Sequence, residues 1–361
     1  MIRLLACLAL RLPSSGAAIP FAEVSVPNDT MVVSEEVTFS AGGRMIPGTL
    51  THPRAGTGPT AALLLMAGSG PTDRDWNSPL LPGKNGSARQ LAEALAGQGL
   101  VVLRFDKAFS GKNSGPPLAE LTLDTYLAEA RAALALLTSR PEVDRNRVFI
   151  AGHSEGGIHV TRLALAELKA IRGVILLAGP GRSIKDVLIT QLEGNFRNGA
   201  KLPPDQVEAQ MKPIRDGLAD FVAGKEVDPK SLSPLPQMQM IFNNMMAKPV
   251  AAIGRALVSF EPAGEVAKIE VPVLVLQGGK DVQVDPVLDA ERLVAALRGA
   301  KRDVTYHLSP DANHVLKHEP LSTAELRADL AAVQNGYSAE GRTLDPDVVA
   351  ALLGWIRAKG N

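Results

Sequence analysis

The chain has 361 residues, with 38 lysines and arginines and 38 aspartates and glutamates, so its formal net charge is zero. This balance argues against nucleic acid or an anionic membrane as a partner, because both attract strongly basic proteins. The one cysteine, Cys7, excludes an internal disulfide framework and a cysteine-based zinc site. The length allows a large core, as one α/β domain or as a domain with an insertion, and the 45% hydrophobic content is ordinary for a globular protein.

The N-terminal segment combines basic residues, a short apolar run and small residues. Arg3 precedes a run of leucine, alanine and cysteine, and Arg11 is followed by the small residues 14–18. Residues 1–22 therefore predict a short signal peptide and export, with a disordered leader on a cytoplasmic protein as the alternative. Elsewhere no run reaches the roughly 18 apolar residues of a membrane-spanning helix, so we expect no stable membrane span.

The next elements in chain order predict a mostly parallel sheet. Alternation in residues 37–40 and 45–50 indicates an antiparallel hairpin at a sheet edge. Apolar runs that predict buried strands follow at 61–66, 100–105, 148–150, 174–178, 271–277 and 304–308. Helical patterns occur at 87–97, 123–139, 158–171, 286–297 and 345–358. Strands that alternate with helices favour a parallel sheet covered on both faces.

The alternation stops between residues 183 and 266, where prolines interrupt helical patterns and no strand-like run occurs. We predict a helical cap insertion at 183–266 and a core formed by 23–182 and 267–361. The segment holds several methionines, at Met211, Met238, Met240, Met245 and Met246. Methionines suit an adaptable apolar wall over a binding pocket, and the alternative is that they form the core of the insertion.

Residues 148–157 read Val-Phe-Ile-Ala-Gly-His-Ser-Glu-Gly-Gly. A buried strand enters a Gly-x-Ser-x-Gly motif and a helix leaves it, which presents the serine hydroxyl at the tip of a strained bend. Gly152 and Gly156 are required because the strand and the helix leave no room for a Cβ atom. A chance match is the alternative, but the flanking strand and helix argue against it. We therefore predict that Ser154 is a catalytic nucleophile.

A serine nucleophile needs a base within reach and an acid that orients the base. In parallel sheets such groups lie just after the carboxyl ends of strands. Asp281 follows the strand at 271–277, and His314 follows the strand at 304–308. The order Ser154, Asp281, His314 is the one that hydrolases with this motif use. These three residues are our predicted catalytic triad.

Other residues compete for two of these roles. Asp285 and Asp289 lie further along the chain and are rivals for the acid. His318 lies four residues after His314, as in a helical metal pair, but the glutamates of a zinc-protease motif are missing. His153 sits inside the bend, where its side chain should point away from the serine hydroxyl. We therefore predict no metal and no organic cofactor.

Acyl transfer also needs backbone donors that point at the developing oxyanion. We expect the N–H of Glu155 and the N–H of Ser69, with Gly70 as the neighbouring alternative for the second donor. A tight turn without a catalytic role is the other interpretation of this loop. The charged tract at 73–75 is expected to hold the loop rigid rather than to touch substrate.

Two loops carry a family resemblance. Residues 68–75 match a Gly-Ser-Gly-Pro-x-Asp-Arg-Asp loop, and residues 152–157 match a Gly-His-Ser-Glu-Gly-Gly elbow. With these motifs the chain resembles bacterial serine carboxylesterases of the α/β-hydrolase superfamily over roughly residues 35–358. The resemblance implies an α/β-hydrolase fold, the same triad, and activity on short to medium acyl esters. One departure is at 106–111, where Asp-Lys-Ala-Phe-Ser-Gly stands in place of the common Asp-Lys-Arg-Gly-x-Gly.

Together these features predict a serine hydrolase that cleaves small-molecule carboxylic esters through an acyl-serine intermediate. Two alternatives stay open. One is a peptidase or amidase that uses the same triad, as in branches related to the resembled family. The other is a non-catalytic binding protein on a hydrolase scaffold, against which the complete set of triad residues argues.

Overall fold

The computed structural model describes residues 31–55, 58–81 and 83–360, so the predicted signal peptide at 1–22 lies outside the described residues. Within these ranges eight strands form one sheet. The strands are β1 Val32–Ala41, β2 Arg44–Pro53, β3 Thr60–Met66, β4 Val101–Phe105, β5 Val143–His153, β6 Gly173–Leu177, β7 Val273–Gly278 and β8 Val304–Ser309.

The strand order is β1-β2-β4-β3-β5-β6-β7-β8. The strands β1 and β2 form an antiparallel hairpin at one edge, and β2 pairs antiparallel with β4. All other neighbours are parallel. The predicted edge hairpin and the predicted mostly parallel sheet are therefore confirmed. The carboxyl ends of β3 to β8 consequently point toward the same edge of the sheet.

The described residues also contain twelve α-helices. They are α1 Ser87–Ala96, α2 Leu123–Ser139, α3 Gly156–Ala166, α4 Ile184–Gly194, α5 Pro204–Val222, α6 Pro236–Met246, α7 Ala251–Val258, α8 Pro262–Val266, α9 Glu291–Gly299, α10 Thr323–Ala328, α11 Leu330–Ser338 and α12 Pro346–Gly360. Single π-helical turns at Asn195–Gly199 and Pro286–Ala290 precede or extend them, and short 3₁₀ turns occupy Leu118–Glu120, Leu168–Ala170 and Pro229–Ser231.

Apolar side chains cover both faces of the sheet. The helices α2, α3 and α9 pack on one face, and α1 and α12 pack on the other. In α2 the residues Ala130, Ala133, Leu134 and Leu137 recur at helical spacing, and all four are buried against the strands. Burial of one leucine side chain contributes about 2 kcal/mol. The sheet is thus packed between two helical layers, and the loops at its carboxyl edge are attached to a rigid core.

The segment between β6 and β7 is helical, from α4 to α8. Four of these helices, α4 to α7, share a separate apolar cluster, in which Met211, Met238 and Met246 are buried. Met240 is 55% exposed. The structure therefore supports the interpretation that the three buried methionines form the core of the insertion. The role of this segment as a cap over the site stays a prediction.

The structure has two helices, α10 and α11, in the segment before α12, for which the sequence analysis predicted no helix. The helix α10 begins after Ser322, whose hydroxyl accepts from the N–H of Glu325, while the Glu325 carboxylate accepts from the N–H of Ser322. This capping box is visible in the sequence as Ser-x-x-Glu and is the signal that predicts the helix. In the described ranges, no helix is both long enough and apolar enough to cross a bilayer.

Candidate active site

The bend between β5 and α3 places Ser154 at the carboxyl edge of the sheet. Ser154 has a φ of 54°, in the left-handed region that is strained for residues other than glycine. A Cβ atom on Gly152 would lie 2.1 Å from the main-chain oxygen of Gly156, and one on Gly156 would lie 2.7 Å from that of Met66. The strand and the helix therefore approach so closely that both glycines are needed, as predicted.

Asp281 is buried in the loop after β7 and accepts four hydrogen bonds. Its Oδ1 accepts from the main-chain N–H groups of Gln283 and Val284, at 2.8 and 2.9 Å. Its Oδ2 accepts from Gln277 Nε2 at 2.9 Å and lies 2.8 Å from His314 Nδ1. Because a carboxylate only accepts, the Nδ1 of His314 carries the proton in this pair. The Nε2 of His314 is then the atom that is free to take a proton.

Ser154 and His314 lie in neighbouring loops at the same edge. The residue before the serine, His153, places its Nε2 2.8 Å from the main-chain oxygen of His314. Among the hydrogen bonds of the described residues, none joins the Ser154 hydroxyl directly to the His314 ring. Proton transfer requires about 2.6–3.2 Å between these atoms, which substrate binding must establish. The catalytic roles of Ser154, Asp281 and His314 stay predictions.

The rival side chains have other partners. Asp285 accepts from the N–H groups of residues 287 and 288 and so caps the turn that leads into α9. Asp289 is fully buried and pairs with Arg182, whose Nε and Nη2 donate to it at 3.0 and 2.7 Å. His318 Nδ1 lies 3.1 Å from Asp345 Oδ2. These contacts account for the rivals without a role in the triad.

Two backbone N–H groups are available as oxyanion donors. In the part of the chain that the structure describes, no hydrogen bond uses the N–H of Ser69 or of Glu155. Glu155 directly follows the serine and precedes the first residue of α3, so its N–H lies at the positive end of the helix dipole. The carbonyl of Ser69 accepts from the hydroxyl of Thr72 at 2.7 Å, which orders the loop. The use of both donors stays a prediction.

A buried group of charges lies beside these donors. The ammonium of Lys107 donates to the carbonyl of Gly70 and lies 5.7 Å from the centre of the Tyr126 ring. Burial lowers the pKa of Lys107, and the charges of Glu155 and Glu129 offset part of that effect. Burial also raises the pKa of Glu155, but the hydrogen bond and charge of His159, together with the charge of Lys107, outweigh it and hold that pKa below its ordinary value.

The charged tract at 73–75 makes contacts within the protein. The main-chain N–H and the guanidinium of Arg74 donate to the two oxygens of Asp106, both at 2.9 Å. Asp75 lies 3.1 Å from the buried Arg104. These pairs join the loop after β3 to the end of β4 and so favour the structural role that we expect for the tract.

The departure at 106–111 includes a residue with an unusual backbone conformation. Phe109 stands where the resembled family has its first glycine, and its φ is 61°, which favours glycine. The N–H of the preceding Ala108 donates to the buried carboxylate of Glu129 at 2.8 Å. The ring of Phe109 leaves room only for a glycine at 115, where an added Cβ would lie 2.7 Å from the ring. The loop thus has a left-handed residue at 109 that is not a glycine.

Sequence reasoning missed Gln277 and Trp76. Gln277 is fully buried at the end of β7 and donates to Asp281 and to the carbonyl of Val284. An amide among the apolar residues of a buried strand is a signal that could have identified it, because a buried amide needs partners. Trp76 stacks on the ring of His153 and follows the charged tract directly. A tryptophan beside the loop of a predicted oxyanion donor was the sequence feature that could have indicated this contact.

A cleft of about 550 Å³ borders the loop after β7, where Val282 and Gln283 line it. Three arginines line its other walls, at positions 182, 197 and 327. Ser154 and His314 do not belong to its lining, so we do not assign the reacting part of the substrate to it.

In the described residues, no group of three histidine, cysteine or acidic side chains could hold a metal ion.

Comparisons with known proteins bear on the family and the fold of this chain. The profile of a family described as serine aminopeptidase, S33, matches residues 84–321. Esterase EstD of Thermotoga maritima is 28% identical over 284 residues, which are 78% of this chain and 60% of EstD. This chain therefore spans less than two thirds of the length of that relative.

Solved structures show the same fold. An esterase of Pyrococcus furiosus superimposes with a TM-score of 0.52 at 16% identity, over 91% of both chains. A proline iminopeptidase of Mycobacterium smegmatis gives a TM-score of 0.51 at 16% identity, over 91% of this chain and 100% of its own.

Proposed function

We propose that this chain, which belongs to the α/β-hydrolase superfamily in the family described as serine aminopeptidase, S33, is a carboxylesterase, because its relative EstD is described as an esterase. Its substrates would be small-molecule esters of short to medium acyl chains. The observation that carries the proposal is the buried pair of Asp281 and His314, 2.8 Å apart, in the loops beside the strained bend at Ser154. A histidine held by an aspartate activates a serine alcohol at neutral pH once its free ring nitrogen reaches the serine oxygen.

The proposed reaction has two halves. The Oγ of Ser154 attacks the ester carbonyl carbon while its proton moves to Nε2 of His314. The tetrahedral intermediate then collapses, the C–O bond to the alcohol breaks, and His314 returns the proton to the departing oxygen. Water hydrolyses the acyl-serine by the same steps. Asp281 holds the ring and balances its charge, and the N–H groups of Ser69 and Glu155 stabilise the oxyanion. No step needs a metal or an organic cofactor.

A panel of p-nitrophenyl esters from acetyl to palmitoyl tests this proposal. We expect the highest kcat/KM between acetyl and octanoyl, and we expect Ser154→Ala to lose nearly all activity, because removal of the nucleophile leaves only binding and oxyanion stabilisation. A fluorophosphonate should label the wild type at Ser154. A Ser154→Ala protein as active as the wild type contradicts the proposal.

An aminopeptidase or amidase with the same triad is the second candidate, and the description of the matching family favours it. Amide cleavage needs a protonated leaving amine and a group that anchors the peptide amine. Aminoacyl-p-nitroanilides, measured beside the esters at equal concentration, separate the two candidates. A higher kcat/KM for an anilide than for every ester identifies a peptidase.

We also propose that the protein is exported, on the basis of the basic, apolar and small-residue order of residues 1–22. Fractionation of expressing cells and N-terminal sequencing of the product test this. Recovery of the uncleaved chain in the cytoplasm contradicts it.

A further inference from the structure

His153 contacts both loops that flank the nucleophile. Its Nε2 carries the proton, because its partner at 2.8 Å is the main-chain oxygen of His314 and a carbonyl only accepts. The rings of the two histidines are 4.8 Å apart and tilted by 51°. On its other side, His153 stacks on Trp76, with ring centres 4.3 Å apart and planes at 22°. The imidazole thus lies between the loop of the base and the loop of the predicted oxyanion donor.

The turn at 73–77 places Trp76 on this ring. The carboxylate of Asp73 accepts from the main-chain N–H of Asn77 at 2.8 Å and from its Nδ2 at 3.1 Å. The N–H of Trp76 donates to the carbonyl of Asp73 at 3.0 Å. Trp76 is buried and has a φ of 66°, a conformation that is strained for a residue with a Cβ. The hydrogen bonds of this turn therefore stabilise the strained backbone of Trp76, and its indole stacks on His153.

His153 is neutral at working pH. Burial first, and then the charge of His314, lower its pKa to about 3, although the hydrogen bond to the His314 carbonyl raises it. In the described part of the chain its Nδ1 has no hydrogen-bond partner. A neutral ring adds no positive charge beside the imidazolium that forms on His314 during acyl transfer.

We infer that His153 is a positioning residue for acyl transfer, which anchors the main chain of His314 through its Nε2–H and is itself held by Trp76. The stack with Trp76 and the hydrogen bond to His314 hold the loop after β3 and the loop after β8 in a fixed position relative to each other. This inference rests on the proposed function. His153 acts through His314 and touches no reacting atom.

The test compares two variants of His153. His153→Phe keeps an aromatic ring but removes the donor, whereas His153→Gln offers an amide N–H near the position of Nε2. With p-nitrophenyl butyrate as substrate, we expect His153→Phe to lower kcat by about 10²-fold, because a small misplacement of the His314 base costs that much. KM should stay within about twofold of the wild type. In His153→Gln, kcat should lie within about tenfold of the wild type, because the amide N–H replaces the lost donor.

A second measurement does not depend on activity. The low-field proton signal of the His314 Nδ1–H, bonded to Asp281, should shift and exchange faster with water in His153→Phe than in His153→Gln. His307→Phe is the matched control, because His307 bonds Asp347 and does not touch His314. We expect this control to retain the wild-type kcat and signal.

A His153→Phe protein with wild-type kcat and an unchanged His314 signal overturns the inference. If that variant does not fold, Trp76→Leu removes the stack and leaves the donor, and the same signal should then exchange faster. An unchanged signal in Trp76→Leu also overturns it. A wild type that neither hydrolyses esters nor reacts with a fluorophosphonate refutes the proposed function instead, while the His314 signal still decides the role of His153.

Discussion

At the scale of single residues, the surroundings of Asp281 allow only a carboxylate. Each oxygen faces two N–H donors, so an asparagine in either orientation turns its NH₂ group toward donors. The replacement also removes the acceptor that keeps the proton on Nδ1 of His314. The rival Asp285 accepts two local hydrogen bonds at the start of a helical turn, and its carboxylate also lies 3.6 Å from the half-exposed Arg327. Asparagine keeps the two hydrogen bonds and loses only this long, exposed ion pair.

Asp281→Asn should therefore lower kcat/KM for a p-nitrophenyl ester by roughly 10³- to 10⁴-fold, because the ring of His314 adopts the wrong tautomer. Asp285→Asn, the matched control, should retain activity within about twofold. Steady-state kinetics on both proteins checks this. An equal loss in both variants, or a larger loss in Asp285→Asn, contradicts the assignment of the acid.

At the scale of elements, the contact between β5 and α3 needs a glycine at position 152 but not at position 157. A Cβ on Gly152 would lie 2.1 Å from a main-chain oxygen, which cannot move aside without moving the helix. A Cβ on Gly157 would have its nearest neighbours at 3.7 Å, an ordinary contact. The two positions lie five residues apart on the same bend, so they form a matched pair.

We expect Gly152→Ala to lower the free energy of unfolding by about 1–3 kcal/mol, as overpacked core sites do. Gly157→Ala should be neutral or should raise it by up to about 1 kcal/mol, since alanine favours the helix more than glycine does. Urea denaturation of the two variants and the wild type measures both changes. Equal destabilisation by the two alanines argues against the close approach.

At the scale of the whole molecule, Lys317 joins segments that are distant in the chain. Its ammonium donates to the carbonyl of Asn85 at 2.6 Å and to that of Tyr337 at 2.8 Å, and the residue is 2% exposed. Burial first, and then the charges of Arg342 and Arg89, lower the pKa of Lys317 to about 8 from 10.5. The folded protein therefore binds this proton more weakly than the unfolded chain does.

Between pH 8 and 10.5 the unfolded chain carries more protons at Lys317, so the free energy of unfolding rises with pH through that window. Below pH 8 the full cost of the buried ammonium is present, and above 10.5 it is absent. Lys317→Met removes this dependence. The stability of the wild type minus that of Lys317→Met should thus rise from pH 8 to pH 10, measured by urea denaturation. A difference that stays constant or falls contradicts the shift.

Local patterns along the chain suffice for much of this description. Apolar runs and helical spacing predicted the edge hairpin, the parallel strands and α2 at Leu123–Ser139, because burial on two faces imposes these periods on the sequence. The bend at Ser154 was predictable because a close approach admits only glycine. The places of Asp281 and His314 in loops at the carboxyl edge of the sheet were predictable because parallel strands end at one edge.

The tertiary structure decided what no local pattern carries. The rank of Asp281 over Asp285 and Asp289 depends on which carboxylate the His314 ring meets, and that depends on the loops of two strands folded side by side. The stack of Trp76 on His153 joins residues 77 positions apart in the chain. The sequence by itself determined the sheet and placed Ser154, Asp281 and His314 after strands at its carboxyl edge. Their partners, which are distant in the chain, are set only when the strands pack.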